Sequence, residues 1–362
     1  MQINHRHCTI LHNLTLRLYQ AEALNLSFGL WRNRTVKEGD PVSIIQPSLS
    51  RHEGKHRGGM SFKQYMRRYG TLYIMLLLPI AFFVIFRYAP MAYILSAFKK
   101  NNIIKPPWEV AWAKNNGFEW FIKAFKNRDF LYALRNTVTL NLLDLLVGFP
   151  APIILALLLN ELPFKGFKRV TQTIVYLPHF LSWIIISGLA LRLLAPNDGL
   201  VNIVLKNAGM EPIHFLDNSN NWVWTYIALG VWKEAGWNTI IYLAALTGIS
   251  PELYEAASVD GAGRLRKIWH VTLPGLRPTI ITLLIMNLGR ILGSEFDRPY
   301  ALSNKLVTDV SNVISIFVYQ NGIKGSQFSL TTAVGLFQSV IGVFFLLGAN
   351  KIANKFGERG VW

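Results

Sequence analysis

Ser250-Pro251-Glu252-Leu253-Tyr254-Glu255-Ala256-Ala257-Ser258-Val259-Asp260-Gly261-Ala262 lies between two apolar blocks of membrane length and reads as a folded knuckle. Ser250 suits the cap of a helix, Pro251 its first turn, and Glu252 and Glu255 its positive end. Leu253, Ala256 and Ala257 give that helix a small apolar face. Asp260-Gly261 ends it, because glycine turns there without the steric cost of a Cβ. Arg264 to His270 then forms a second short, basic helix running to Leu273-Pro274, where the chain is expected to return to the membrane.

Of the 362 residues, 51% are hydrophobic, yet the formal net charge is +17. The charges are segregated from long apolar blocks at about 70–93, 134–160, 169–195, 222–249, 276–295 and 330–355. Each block is long enough to cross ~30 Å of hydrocarbon at ~1.5 Å per residue. The pattern predicts an all-α integral membrane protein with six transmembrane helices; the fourth block is the weakest, with Lys233 and Glu234 at its middle. A basic excess also suits nucleic-acid binding, but Lys and Arg flank the apolar blocks instead of gathering on one soluble face. The expected partner of that charge is membrane lipid, not nucleic acid.

Residues 1–60 are polar and basic without a signal-like apolar run, and are expected to form a poorly ordered N-terminal extension before a 61–362 membrane domain. His5, His7, Cys8 and His12 cluster there in no standard zinc spacing, so no metal site is expected. The lone Cys8 leaves no internal disulfide framework.

Six spans place both termini on one side. Twenty-one Lys and Arg fall on that side, in the two tails and the connections after the second and fourth blocks, against thirteen in the other connections. The excess places the termini and the Glu255 loop in the cytoplasm of a plasma-membrane protein. The first external connection, 96–134, carries seven of the opposing charges, from Lys99 to Arg128, interleaved with Trp108, Trp112, Phe118, Trp120 and Phe121. It suits an amphipathic segment on anionic lipid.

Ionisable groups inside a span are costly, so Asp144, Lys233, Glu234 and Arg290 are expected to face a partner or a wet path. Trp237, Asn238 and Asn287 accompany them, and this set suits a sugar path: indole faces stack on rings, while Asn, Lys and Arg donate to hydroxyls or carboxylates. In the competing reading Lys233 pairs with Asp144 or Glu234 and merely knits the helices together, while Glu295, Asp297 and Arg298 meet water at an interface. Pro178 marks a helix break, with His179 hydrogen-bonded beside it, and Pro150 and Pro152 mark kinks.

The knuckle resembles the EAA loop of the permease subunits of ABC importers: Glu255, Ala256, Ala257, Asp260, Gly261, Ala262, Trp269, Val271, Leu273, Pro274 and Pro278 match its pattern in order. Phe149-Pro150-Ala151-Pro152, Tyr176-Leu177-Pro178-His179-Phe180, Tyr242-Leu243-Ala244-Ala245-Leu246 and Thr332-Ala333-Val334-Gly335-Leu336-Phe337 extend the likeness to oligosaccharide and polysaccharide permeases of the LplB type. The resemblance covers 61–362; Met60 stands where it begins, so a start there competes with Met1. It implies that residues of about 250–275 form a coupling loop against a separate ATPase, with Glu255, Ala256 and Ala257 on the docking face, Gly261 at the turn, and Asp260, Ala262, Leu273 and Pro274 completing the motif. It also implies two ATPase subunits carrying ATP and Mg, a second permease (another copy or a homologue), and an extracytoplasmic solute-binding protein, for which the 96–134 connection is the alternative docking surface. Lys233, Arg290 and that basic connection point to an acidic, uronate-type oligosaccharide.

This chain itself is not expected to hydrolyse ATP. Gly54-Lys55-His56 lacks the frame and hydroxyl of a phosphate loop. No nucleophile elbow or His-Glu-x-x-His supports an enzyme. An ion-gradient transporter using Asp144 and Glu234 is the alternative, and it leaves the knuckle unexplained.

Overall fold

The computed structural model describes residues 62–293, 295–355, 357 and 360. The basic extension 1–60, with its His5, His7, Cys8, His12 cluster and Met60, lies outside the described residues. The chain divides into two compact units, Met1–Thr71 and Leu72–Trp362. The core clusters and cavities belong to the second unit.

The named elements are helical, and one isolated bridge pairs Lys99 with Trp112. Helix α1 (Phe62–Phe83) continues through a π-turn, Val84–Tyr88, and together with the turns beyond makes a 34-residue apolar run, Tyr65–Phe98. No residue from 71 to 91 is buried. The connection that follows folds on a cluster of Phe98, Phe118 and Phe121 and includes α2 (Glu119–Lys126). A hydrogen bond from Lys123, then one from the Lys114 backbone N–H, hold the Glu119 carboxyl below its ordinary pKa.

Helix α3 (Arg128–Leu143) passes through a π-turn, Asp144–Gly148, into α4 (Pro150–Asn160). Helix α5 (Lys165–Tyr176) runs on through the turn Leu177–Phe180 and meets α6 (Trp183–Leu193) at 100° across Leu181-Ser182, just past the break expected at Pro178. After α7 (Leu200–Asn207) comes α8 (Ser219–Leu246), 28 residues without interruption. The knuckle is α9 (Pro251–Val259) and α10 (Arg264–Lys267); a π-turn, Ile268–Thr272, then leads directly into α11 (Leu273–Leu288). Short helices α12 (Asp297–Leu302), α13 (Thr308–Ser311) and α14 (Ile314–Val318) precede the long α15 (Phe328–Lys355).

Four helical runs are long and apolar enough to cross a membrane: Tyr65–Phe98, Arg128–Asn160, Arg264–Leu288 and Phe328–Lys355. Counted as one broken span, the bent pair α5–α6 brings the number to five. Helix α8, the fourth block, reaches ~42 Å by length but is not among them. The reason lies in its position. It packs against α3, α4, α5, α11 and α13, and buries Trp222, Tyr226, Gly230, Lys233, Gly236, Thr239, Tyr242 and Leu246 at steps of three or four. An interior helix carries polar groups that a lipid-facing one cannot. Close approach depends on glycine: a Cβ at Gly236 would strike the Val175 backbone of α5.

Two expected boundaries change. The fifth block, 276–295, is helical only to Leu288, so Arg290 and Glu295 follow the helix end. Arg264 to His270 is not a separate short helix, because one helical run continues from Arg264 through Leu273-Pro274 to Leu288.

Candidate functional site

A cavity of about 570 Å³ opens between α3, α4, α8, α11 and the segment leading to α12. Its size falls within the ~300–1,000 Å³ usual for small-molecule sites. Asp144 comes to it from the π-turn, Glu234 and Asn238 from α8, Asn287 from α11, and Arg290 from just past that helix. These are five of the seven residues expected on a solute path. Lys233 and Trp237 do not line it.

Lys233 is buried and donates to the His179 carbonyl at 2.8 Å and to Glu234 Oε1 at 3.0 Å. Its partner is therefore Glu234 and not Asp144. The bend frees backbone groups that must find partners at membrane depth, and Lys233 supplies one. His179 Nδ1 meets Glu234 Oε2 at 2.9 Å, and its ring stacks on Trp237 with centroids 4.5 Å apart.

Arg298 is the cavity residue that the sequence does not announce. It is buried, not at the wet interface of the competing reading, and grips Asp144 with two nitrogens at 2.8 and 3.2 Å. It also donates to the Tyr226 carbonyl at 2.6 Å and lies 3.6 Å from the Tyr226 ring centroid. The guanidinium fills a niche at Gly230, where a Cβ would collide with it. Glu295 accepts from Trp183 Nε1 at 2.7 Å. Arg298 is thus neutralised by Asp144 and Lys233 by Glu234. Arg290 is exposed on the cavity wall with no ion pair, the one unneutralised cation among the described lining residues.

The knuckle has a defined closure. The Ala262 N–H donates to the Ala257 carbonyl and the Gly261 N–H to that of Ser258, with Gly261 at φ +74°. This paired pattern satisfies the orphan carbonyls of α9 and requires a left-handed residue, which glycine supplies. Ser250 caps with its backbone only; its hydroxyl makes no cap bond. Lys267 Nζ to Ser258 Oγ at 2.6 Å and Tyr254 to Thr272 at 3.1 Å tie α9 to the following turns. Glu255, Ala256 and Asp260 are exposed, Ala257 and Ala262 half-buried, and Leu273 and Pro274 open the next helix. Val259 is 87% exposed, Leu265 74% and Trp269 67%.

A sequence profile of the family described as "Binding-protein-dependent transport system inner membrane component" matches residues 148–356, more than half of the chain. Protein LplB of Bacillus subtilis (strain 168) is 41% identical over 304 residues, which is 84% of this chain and 95% of that one. The polygalacturonan/rhamnogalacturonan transport system permease protein YteP of the same organism is 42% identical over 291 residues, 80% and 90% of the two chains. A chain in the crystal structure of a bacterial alginate ABC transporter, in complex with an alginate pentasaccharide-bound periplasmic protein, superposes with a TM-score of 0.74. It is 38% identical, and the match covers 83% of this chain and 99% of that one. An all-helical membrane fold, a profile match beyond the knuckle and relatives aligned over nearly their whole length agree: the chain belongs to the binding-protein-dependent transport system inner membrane components, as an ABC importer permease and not an enzyme.

Proposed function

We propose that the chain forms the solute path of an ATP-driven importer for acidic oligosaccharides, uronate-containing ones in particular, and takes its energy through the knuckle. It pairs with a second permease, identical or homologous, and receives solute from an extracytoplasmic binding protein. Two ATPase subunits holding ATP and Mg dock against Glu255, Ala256, Ala257, Asp260, Gly261 and Ala262. Six helices cross the membrane, α8 among them, and both termini lie in the cytoplasm.

One observation carries the coupling. The knuckle joins α8 to α11, and those two helices supply cavity-lining Glu234, Asn238, Ile241, Leu283 and Asn287, with Arg290 directly beyond. Displacing the knuckle therefore moves two walls of the cavity together. Its exposed Val259, Leu265 and Trp269 offer apolar area to a protein partner, and the small Ala256 and Gly261 allow close approach. The acidic substrate is supported by Arg290, whose unpaired guanidinium suits a carboxylate among hydroxyls met by Asn238 and Asn287. It is also supported by the named cargo of YteP and of the alginate transporter.

Gly261→Asp and Glu255→Lys are expected to abolish uptake in cells while the protein still inserts; normal uptake in both ends the coupling assignment. Uptake should survive an uncoupler and stop on ATP depletion, the reverse of an ion-driven carrier.

A further inference from the structure

A second cavity, about 320 Å³, lies along the seam of α3 and α8 at the end of α8 opposite the knuckle. Its polar walls are Arg135, Asn136 and Thr139 from α3, and Asn220 and Trp224 from the first turns of α8. Trp224 is 59% exposed, so a large aromatic surface stands open there. Arg135 is held in place: Nη2 donates to the Asp309 carbonyl at 2.9 Å and to Asn136 Oδ1 at 3.0 Å, and Nε donates to the same Oδ1 at 3.2 Å. None of these partners carries a charge. The nearby Asp309 carboxylate accepts instead from the Ser219 hydroxyl at 2.8 Å. Arg135 is thus an oriented cation without an ion pair, as Arg290 is in the larger cavity.

The two cavities are in register. Asn220 and Trp224 fall on the same stripe of α8 as Val231, Ala235 and Asn238, at steps of four, seven, four and three. Between them lies buried Ile227, with Leu143, Val223 and Val231 packed in the same apolar cluster. A smaller pocket, walled by Leu140, Leu143, Val223 and Val310 as well as by its polar side chains, is therefore separated from the larger cavity by an apolar constriction at Ile227 on a common helix face.

We propose that the outer pocket is a second subsite for the acidic sugar: Trp224 stacks on the C–H face of a pyranose ring and Arg135 takes its carboxylate, ahead of the Ile227 neck and of Arg290. Thr139 and Asn220 meet ring hydroxyls. The proposal rests on the acidic-oligosaccharide reading given above and adds a place where the solute pauses before the main cavity.

The test is uptake of a galacturonate trimer by the complete transporter in proteoliposomes, with saturating binding protein. Arg135→Gln and Trp224→Ala are each expected to lower the rate roughly tenfold, the effect of about one charge-assisted hydrogen bond or stacking contact. Arg135→Lys, which keeps the charge but not the fork held by Asn136 and Asp309, should retain most of the rate, as should Trp224→Tyr. Wild-type rates in either Arg135→Gln or Trp224→Ala overturn the subsite. So does a Lys variant as impaired as the Gln one, since that pattern belongs to a structural role. If the wild-type transporter takes up no galacturonate trimer, the acidic-oligosaccharide reading fails and the subsite falls with it. If Arg290→Gln alone is impaired, the main reading stands and only the subsite is lost.

Discussion

Gly230 and Arg298 are coupled by volume, because the guanidinium occupies the space that a side chain on α8 would take. Gly230→Ala is expected to cost about 1–3 kcal/mol as overpacking, read as a fall in thermal midpoint of the detergent-solubilised protein, and to loosen the grip on Asp144. The ion pair itself is asymmetric: the Arg298 side chain is 7% exposed and that of Asp144 30%. Arg298→Met should therefore destabilise less than Asp144→Asn, since the first leaves a partly wet carboxylate and the second a buried, unneutralised guanidinium. The same thermal measurement ranks the two. Asp144, Glu234 and Arg290 were legible in the sequence because a charge inside or beside an apolar block demands a wet or paired setting. Arg298 was not, since it follows Asp297 in a polar stretch and only tertiary folding buries it. Lys233 looked like its neighbours, but its one-residue offset from Glu234 turns it toward the broken helix instead of the cavity.

Three π-turns share a cause. The carbonyls four residues before Pro90, Pro150 and Pro274 belong to Phe86, Leu146 and His270, each the middle residue of a π-turn. In a regular helix the proline ring would collide with that carbonyl; five-residue bonding, such as Phe149 N–H to the Asp144 carbonyl at 3.0 Å, moves it aside. The prolines were legible as disturbances, but their sequence does not distinguish a kink from an accommodated turn. A 100° bend follows Pro178 at Leu181-Ser182, whereas Pro150 and Pro274 leave their helices continuous. Pro274→Ala removes the obstruction and is expected to let the Ile268–Thr272 turn tighten, rotating the knuckle by about 100° relative to α11. Uptake should then fall more than ATP hydrolysis does, a loss of coupling measured as solute moved per ATP in proteoliposomes; an unchanged ratio would contradict the role assigned to that turn.

Across the whole molecule, the charge distribution underlies the proposed orientation, which labelling can check. In a Cys8→Ser background, Lys114→Cys is expected to react with an impermeant maleimide added outside intact cells, and Val259→Cys only after lysis. The reverse pattern would invert the proposed topology and remove the knuckle from any cytoplasmic motor. The all-helical class was legible from apolar blocks alone, because hydrocarbon admits few backbone solutions. The fourth block was legible as a helix but its interior place was not, since α8 lacks the lipid-compatible composition that marks the four apolar runs. At the opposite extreme stands the run from 71 to 91, in which no residue is buried. Such a segment adds nothing to the fold's own interior, so its tilt and depth are dictated by whatever surrounds it. In a thicker or thinner bilayer it can lean or sink while the cavity walls keep their shape.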